Sequence, residues 1–525
     1  MKNSVAIYDT TLRDGSQGEG ISYTVSDKLA VAMELDKAGI HYIEGGWPGS
    51  NPKDMEFFLK MSKRRLACAE LVAFGSTRRP GIKASQDANL KAFLKSGVSC
   101  AALFGKTWDL HVRDVLKTTL EENLSMIRDS VSFLRGKGLS VFYDAEHFFD
   151  AYKANRDYAL KCLSAARDAG ASVLVLCDTN GGTLTSEVLR AVKEVKLLLK
   201  ADIGIHCHND GGLAVANSLA AVEAGAVMAQ GTINGYGERC GNADLISIIA
   251  NLQLKMGVRC LPADKLKGLT RLSHFVSEIS NMTIRNDQPY SGTSAFAHKG
   301  GVHINAVMKN CATYEHIDPS LVGNRRRMLL SELGGKTGIL LRARDLEMDL
   351  TKNDPKTKKL LKLVQELEHK GYQFEAAEAS FELLLQREIK KHEKFFELEG
   401  FRVVVERRQD GKITTEAIIK IKVKGSREHT AAEGDGPVNA LDNALRKALQ
   451  DFYPNLARMH LSDFKVRVLN EKDGTAAKVR VLIQSQDAGD TWNTIGVSEN
   501  IIDASWQALS DSVEYKLLKD RSSRG

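Results

Sequence analysis

No apolar stretch in this 525-residue chain approaches the ~18 residues that a membrane-spanning helix needs, and no membrane partner is expected. Cys-x-x-Cys spacing is absent as well. All eight cysteines precede residue 312 and several sit in apolar runs, which fits reduced thiols in a cytoplasmic protein better than disulfides. Charge of one sign is also lacking: 73 basic and 66 acidic side chains leave a net +7. The aromatics, 6% of the chain, are not interleaved with basic clusters, so no nucleic-acid partner is expected. The runs Arg325-Arg326-Arg327 and Lys356-Thr357-Lys358-Lys359 read as solvated surface.

What is present is 43% hydrophobic residues, in a length that has room for two or three domains. Short apolar runs alternate with helix-period segments from residue 4 to about 256. Strands are predicted at Val5–Tyr8, Tyr42–Gly45, Leu71–Phe74, Cys100–Phe104, Ser140–Asp144, Val173–Cys177, Ile203–His206 and Val227–Ile233. Amphipathic stretches such as Val25–Ala38 and Asp157–Ala169 lie between them. Eight such units over roughly 250 residues predict a closed (β/α)8 barrel within the α/β class. Residues 271–390 turn helical and charged, as a linker region would. Residues 391–525 alternate as strands and carry a weak repeat, Gly434–Leu445 against Gly496–Leu509, which predicts an α+β domain of duplicated β-β-β-α units.

In a barrel the residues just after each strand converge on one mouth, and here they are polar. They include Asp9–Asp14, Asp144 and Glu146, Asp178-Thr179-Asn180, His206 and His208, and Asn234–Asn242. A lone histidine such as His41 or His274 is best read as a satisfied core residue. The pair His206 and His208 is different, because side chains two apart on a strand face one way and can share one ion. With Asp14 at the matching end of the first strand, the site suits a divalent ion such as Mn²⁺, Mg²⁺ or Zn²⁺. Asn242, closing the run Gly235–Gly241, is placed at the start of the last barrel helix, where its amide oxygen supplies a fourth ligand.

The segments Leu12-Arg13-Asp14-Gly15-Ser16-Gln17 with Lys28, and Ile203-Gly204-Ile205-His206-Cys207-His208-Asn209-Asp210-Gly211, resemble both signatures of the 2-isopropylmalate, homocitrate and citramalate synthase family. Glu44–Asp54 and Phe104–His111 are most similar to its citramalate branch, and the C-terminal repeat is similar to the family's amino-acid-binding regulatory domain. The resemblance implies condensation of acetyl-CoA with a 2-oxo acid, pyruvate in this branch, and isoleucine as the effector of a homodimer. Asp14, His206, His208 and Asn242 would hold the ion. Arg13 would stabilise the developing alkoxide, and Thr179 would bind the oxo acid's carboxylate. Glu146 and the linker residue His303, with Tyr314, would share acid/base transfer, leaving open which group takes the methyl proton. Asp144 and Phe104 would bound the oxo-acid pocket. Asp144 replaces a bulky apolar or aromatic residue of some relatives, and Asn305 replaces an acid two positions after the linker histidine. The alternatives are a 2-isopropylmalate or homocitrate synthase, a lyase using Cys240, and a non-catalytic amino-acid sensor.

Overall fold

The computed structural model describes residues 4–329, 340, 343, 351, 354–389, 394–407, 409–469, 477–487 and 490–522. Two compact units divide the chain, one of residues 1–296 with 316–326 and the other of 297–315 with 327–525. In the first unit eight parallel strands close a barrel. They are β1 (Ala6–Asp9), β2 (Tyr42–Gly46), β3 (Glu70–Ser76), β4 (Cys100–Lys106), β5 (Ser140–Glu146), β6 (Val173–Asp178), β7 (Ile203–Cys207) and β8 (Met228–Gly231). Closure is made by β8 pairing with β1, Ala6 against Met228 through Asp9 against Gly231.

Alternation along each strand builds two separate cores. Ile7, Ile43, Leu103, Tyr143, Leu176 and Ile205 face outward and pack under the helices. Tyr8, Val72, Ala102, Phe142, Val175 and Met228 face inward and fill the barrel. Strands β3 to β6 run one or two residues nearer the mouth than apolar content predicts, because Ser76, Lys106, Glu146 and Asp178 keep backbone pairing although their side chains are polar. At β8 the strand is shorter than predicted. Asn234 takes φ 63°, which turns the chain out of the ladder at Ile233.

The helix Val25–Ala38 has the predicted bounds, fixed by a reciprocal capping box of Thr24 with Asp27 and by left-handed Gly39. Asn242 does not begin the last barrel helix. That helix runs Leu245–Leu254 with Asp244 as its cap, accepting from Ile246 and Ser247 N–H, while Asn242 bridges to His208.

In the second unit two three-stranded antiparallel sheets follow one another. The first holds β11 (Glu397–Arg407), β12 (Ile413–Val423) and β13 (Ser426–Gly434), after a two-residue pair of β9 (Ala297–His298) and β10 (Arg327–Met328). The second holds β14 (His460–Val468), β15 (Val479–Gln486) and β16 (Thr491–Ser498). Each sheet leads into a helix, Pro437–Leu449 or Ile501–Ser522, so the β-β-β-α duplication read from the repeat is present. Ile419, Ile421, Leu441, Leu445, Ile483 and Leu509 form its shared apolar core.

Candidate active site

The inward register that fills the barrel with apolar groups turns polar at the mouth: Glu44 on β2, Asp144 and Glu146 on β5, His206 on β7 and Gln230 on β8. A cavity of about 230 Å³ opens there, lined by Arg13, Asp14, Trp47, Phe74, Phe104, Asp144, Glu146, Thr179, His206 and His208 among others. All of these belong to the first unit.

Asp14 Oδ2 stands 3.3 Å from His206 Nε2 and 3.8 Å from His208 Nε2. The three ligand atoms lie within 4.8 Å of one another and all three residues are buried. Burial alone would raise the Asp14 carboxyl, but Arg13 and the two imidazoles outweigh it and hold Asp14 well below the ordinary carboxylate range. Burial likewise works against a charged His206, and the Asp14 carboxylate reverses that and raises it. His208, buried and beside His206, is pushed down to about 4, so its ring is neutral and keeps a lone pair.

Gln230 sets the orientation of the first imidazole. Its Nε2 lies 3.4 Å from Asp144 Oδ1 and its Oε1 lies 3.0 Å from His206 Nδ1, so Nδ1–H donates to Gln230 and Nε2 is left to face Asp14. Asn242 Oδ1 is buried without a hydrogen-bond partner among the described residues, while its Nδ2 donates to the Tyr236 carbonyl (3.2 Å). The two imidazoles and the Asp14 carboxylate are a donor set that fits a divalent cation. The glycine loop holds that amide in place. A Cβ on Gly237 (φ +154°) would fall 2.2 Å from Asn242 Nδ2, and one on Gly241 (φ +83°) 2.0 Å from the Gly235 carbonyl.

Arg13 is fixed on two sides. Its Nε donates to Glu44 Oε1 (2.5 Å), and its guanidinium lies 3.7 Å over the Phe74 ring. Glu44 is fully buried and also accepts from Thr10 Oγ1 (2.8 Å) and the Tyr8 hydroxyl. Phe104 stacks on Phe74 at 5.1 Å, and Trp47 meets both edgewise. Thr179 Oγ1 accepts from His147 N–H (2.8 Å), which leaves the threonine proton free to donate. Asp144 is pushed up to about 7 by burial, with Glu44 adding to it. Glu146 Oε2 meets Lys106 Nζ at 2.5 Å. His303 and Tyr314 belong to the second unit, where their rings stack at 4.2 Å.

The sequence reading missed Glu44, Gln230, Lys106 and Arg239 as site residues. Arg239, left-handed at φ 58°, pairs with Asp210 and donates to the Thr179 carbonyl (2.8 Å), tying the glycine loop to the end of β6. Glu44 and Gln230 were within reach of a simple count, two residues on from inward Tyr42 and Met228.

Residues 4–276 match the HMGL-like family, residues 291–371 the homocitrate synthase post-HMGL domain-like family, and residues 375–517 the LeuA allosteric (dimerisation) domain. The chain is 55% identical to an (R)-citramalate synthase of Geobacter sulfurreducens and 54% identical to one of Aquifex aeolicus, with 99% of each chain covered in both comparisons. The chain belongs to the (R)-citramalate synthase family. A probable 2-isopropylmalate synthase of Methanopyrus kandleri, by contrast, is 31% identical with 97% of each chain covered. Citramalate synthases are acyltransferases, and the allosteric domain of this one is the duplicated β-β-β-α unit. Among the described residues, no helix is long and apolar enough to cross a membrane.

Proposed function

We propose that the barrel mouth condenses acetyl-CoA with pyruvate and water to give (R)-citramalate and coenzyme A. One arrangement carries this reading. Arg13, Thr179 and Glu146 share a cavity with the buried Asp14, His206 and His208 group, in a chain that matches citramalate synthases from end to end. Asp14, His206, His208 and Asn242 would hold Mn²⁺, Mg²⁺ or Zn²⁺, which when bound supplies Lewis-acid polarisation of the keto group. Thr179 donates its free hydroxyl proton to the carboxylate of pyruvate. Asp144, its carboxyl pushed up to about 7 by burial, is partly protonated near neutral pH and repels that anion less than an ordinary carboxylate would, and Phe104, backed by Phe74, bounds the space for its methyl group.

Glu146 takes a proton from the acetyl methyl group, and the resulting carbon attacks the keto carbon. Arg13, a permanent cation held against Phe74, receives the charge that develops on the keto oxygen. His303 and Tyr314 share the remaining acid/base transfers as a stacked pair. Residues 1–270 then act as the catalytic part, 271–390 as the linker and 391–525 as the regulatory part. The last binds isoleucine as a feedback effector and pairs two chains as a homodimer, a reading supported by the match to an allosteric (dimerisation) domain. The free cysteines support a cytoplasmic setting.

Coenzyme A release across pyruvate, 2-oxoisovalerate and 2-oxoglutarate, repeated with isoleucine and leucine, tests this directly. Turnover with pyruvate that isoleucine suppresses is the expected result. Turnover with 2-oxoisovalerate or 2-oxoglutarate and none with pyruvate would assign the chain to a larger oxo acid.

A further inference from the structure

Phe104 of the segment Phe104-Gly105-Lys106-Thr107 bounds the proposed oxo-acid pocket, and Lys106 closes the same strand at its mouth end. In the barrel register Lys106 of β4 is the direct cross-strand partner of Glu146 of β5, as Phe104 is of Asp144. Partners opposite one another in a ladder point to the same face, so Lys106 follows Phe104 and Glu146 to the inner side. Gly105, on the opposite face, leaves room for the Tyr143 side chain of β5. A Cβ there would come within 2.7 Å of the Tyr143 hydroxyl. The backbone is held too, since Asn123 Nδ2 donates to the Lys106 carbonyl (2.8 Å).

The Lys106 side chain is 17% exposed, with Nζ 2.5 Å from Glu146 Oε2. Among the described residues Glu146 is its ion-pair partner, and an ammonium has three donors. That contact is an ion pair and not a formed hydrogen bond, since Glu146 Oε2 has no hydrogen-bond partner among the described residues, so N–H donors of the ammonium remain beside the carboxylate assigned to the methyl proton.

A Claisen condensation develops negative charge at two oxygens in turn. When the acetyl methyl loses a proton to Glu146, the C–H electron pair forms a carbon–carbon double bond and the thioester C=O pair moves onto its oxygen. When that carbon then attacks, the keto C=O pair moves onto the keto oxygen. Arg13 serves the second oxygen and is anchored there by Glu44 and Phe74. The first oxygen, two bonds from the carbon that Glu146 deprotonates, needs its own donor next to that base.

We propose that Lys106 is a catalytic residue for enolisation: its ammonium, held beside Glu146 by the β4–β5 register, donates to the thioester oxygen of acetyl-CoA as it becomes an enolate. This rests on the assignment of Glu146 as the methyl base.

The test is steady-state turnover of Lys106→Met, Lys106→Arg and Glu146→Gln in the full-length, metal-loaded chain, with ordinary and methyl-deuterated acetyl-CoA. Lys106→Met is expected to lose about 100- to 1000-fold in kcat/KM for acetyl-CoA, the range seen when one oxyanion donor is removed. Its deuterium isotope effect should rise, with pyruvate KM within about threefold of the parent, and Lys106→Arg should recover at least tenfold of the loss. An isotope effect no larger than the parent's, or a loss carried by pyruvate KM, would overturn the role of Lys106. So would full activity in Lys106→Met beside an inactive Glu146→Gln. Full activity in Glu146→Gln would instead overturn the underlying assignment of the base. Should Lys106→Met not fold, as judged by circular dichroism, the isotope effect in Lys106→Gln decides by the same criteria.

Discussion

Asp14, His206 and His208 show how three buried titratable groups settle their charges when brought together. Desolvation opposes charge on each of them, and charge survives only where a partner outweighs it. Asp14 stays ionised because Arg13 and His206 face it, whereas His208, beside an already raised His206, goes neutral. Gln230 touches none of the substrates in the proposed reaction, yet it fixes the tautomer of His206. Gln230→Ala is therefore expected to weaken Mn²⁺ binding by about 10- to 100-fold, measured by calorimetry, with little change in fold.

Asp144 has an effect that pH can read. Its folded pKa, about 7, lies above the ordinary carboxylate value because burial and Glu44 disfavour the anion. A raised pKa means that its contribution to stability is fully present below about pH 4 and is lost as pH rises through about 7. In the metal-free chain, Asp144→Asn should therefore gain in melting temperature relative to the parent as pH is raised from 5 to 8. A difference that stays flat over that window would show that Asp144 is already ionised in the folded state.

At the scale of elements, strands and helices were legible in the sequence because apolar runs and helix-period stretches alternate with such regularity. Val25–Ala38 was readable to the residue, since Thr24, Asp27 and Gly39 are local signals. The strand ends toward the mouth were not, because hydropathy ends where the polar site begins while backbone pairing continues. Asn242 was recognised as a ligand candidate but misplaced on a helix. Its position depends on five positive-φ residues in one loop, Asn234, Gly235, Gly237, Arg239 and Gly241, and on a bridge to His208. Gly241→Ala tests that dependence. It should lower metal affinity and cost about 1 to 3 kcal/mol of stability, read by calorimetry and by urea unfolding, because neither the φ nor the space suits a side chain.

At the scale of the whole molecule, the barrel, the linker region and the duplicated C-terminal unit were all readable from the order of their elements. Long-range pairings were not. Arg13 and Glu44 are 31 residues apart, and His206 and Gln230 are 24 apart. Both contacts exist because parallel pairing of β1 with β2 and of β7 with β8 brings neighbouring strand ends to one level, across a helix that separates them in sequence. His303 and Tyr314 were singled out by motif alone, and their stacking on one another is visible only in the folded second unit.

The central proposal is that the mouth holds a 2-oxo acid through an ion on Asp14, His206, His208 and Asn242. Calorimetric titration of the metal-free chain with Mn²⁺, followed by pyruvate, measures it most directly. One Mn²⁺ per barrel is expected, with pyruvate binding only after the ion, and both should be lost in His206→Ala. Pyruvate binding of equal affinity with and without Mn²⁺ would contradict it.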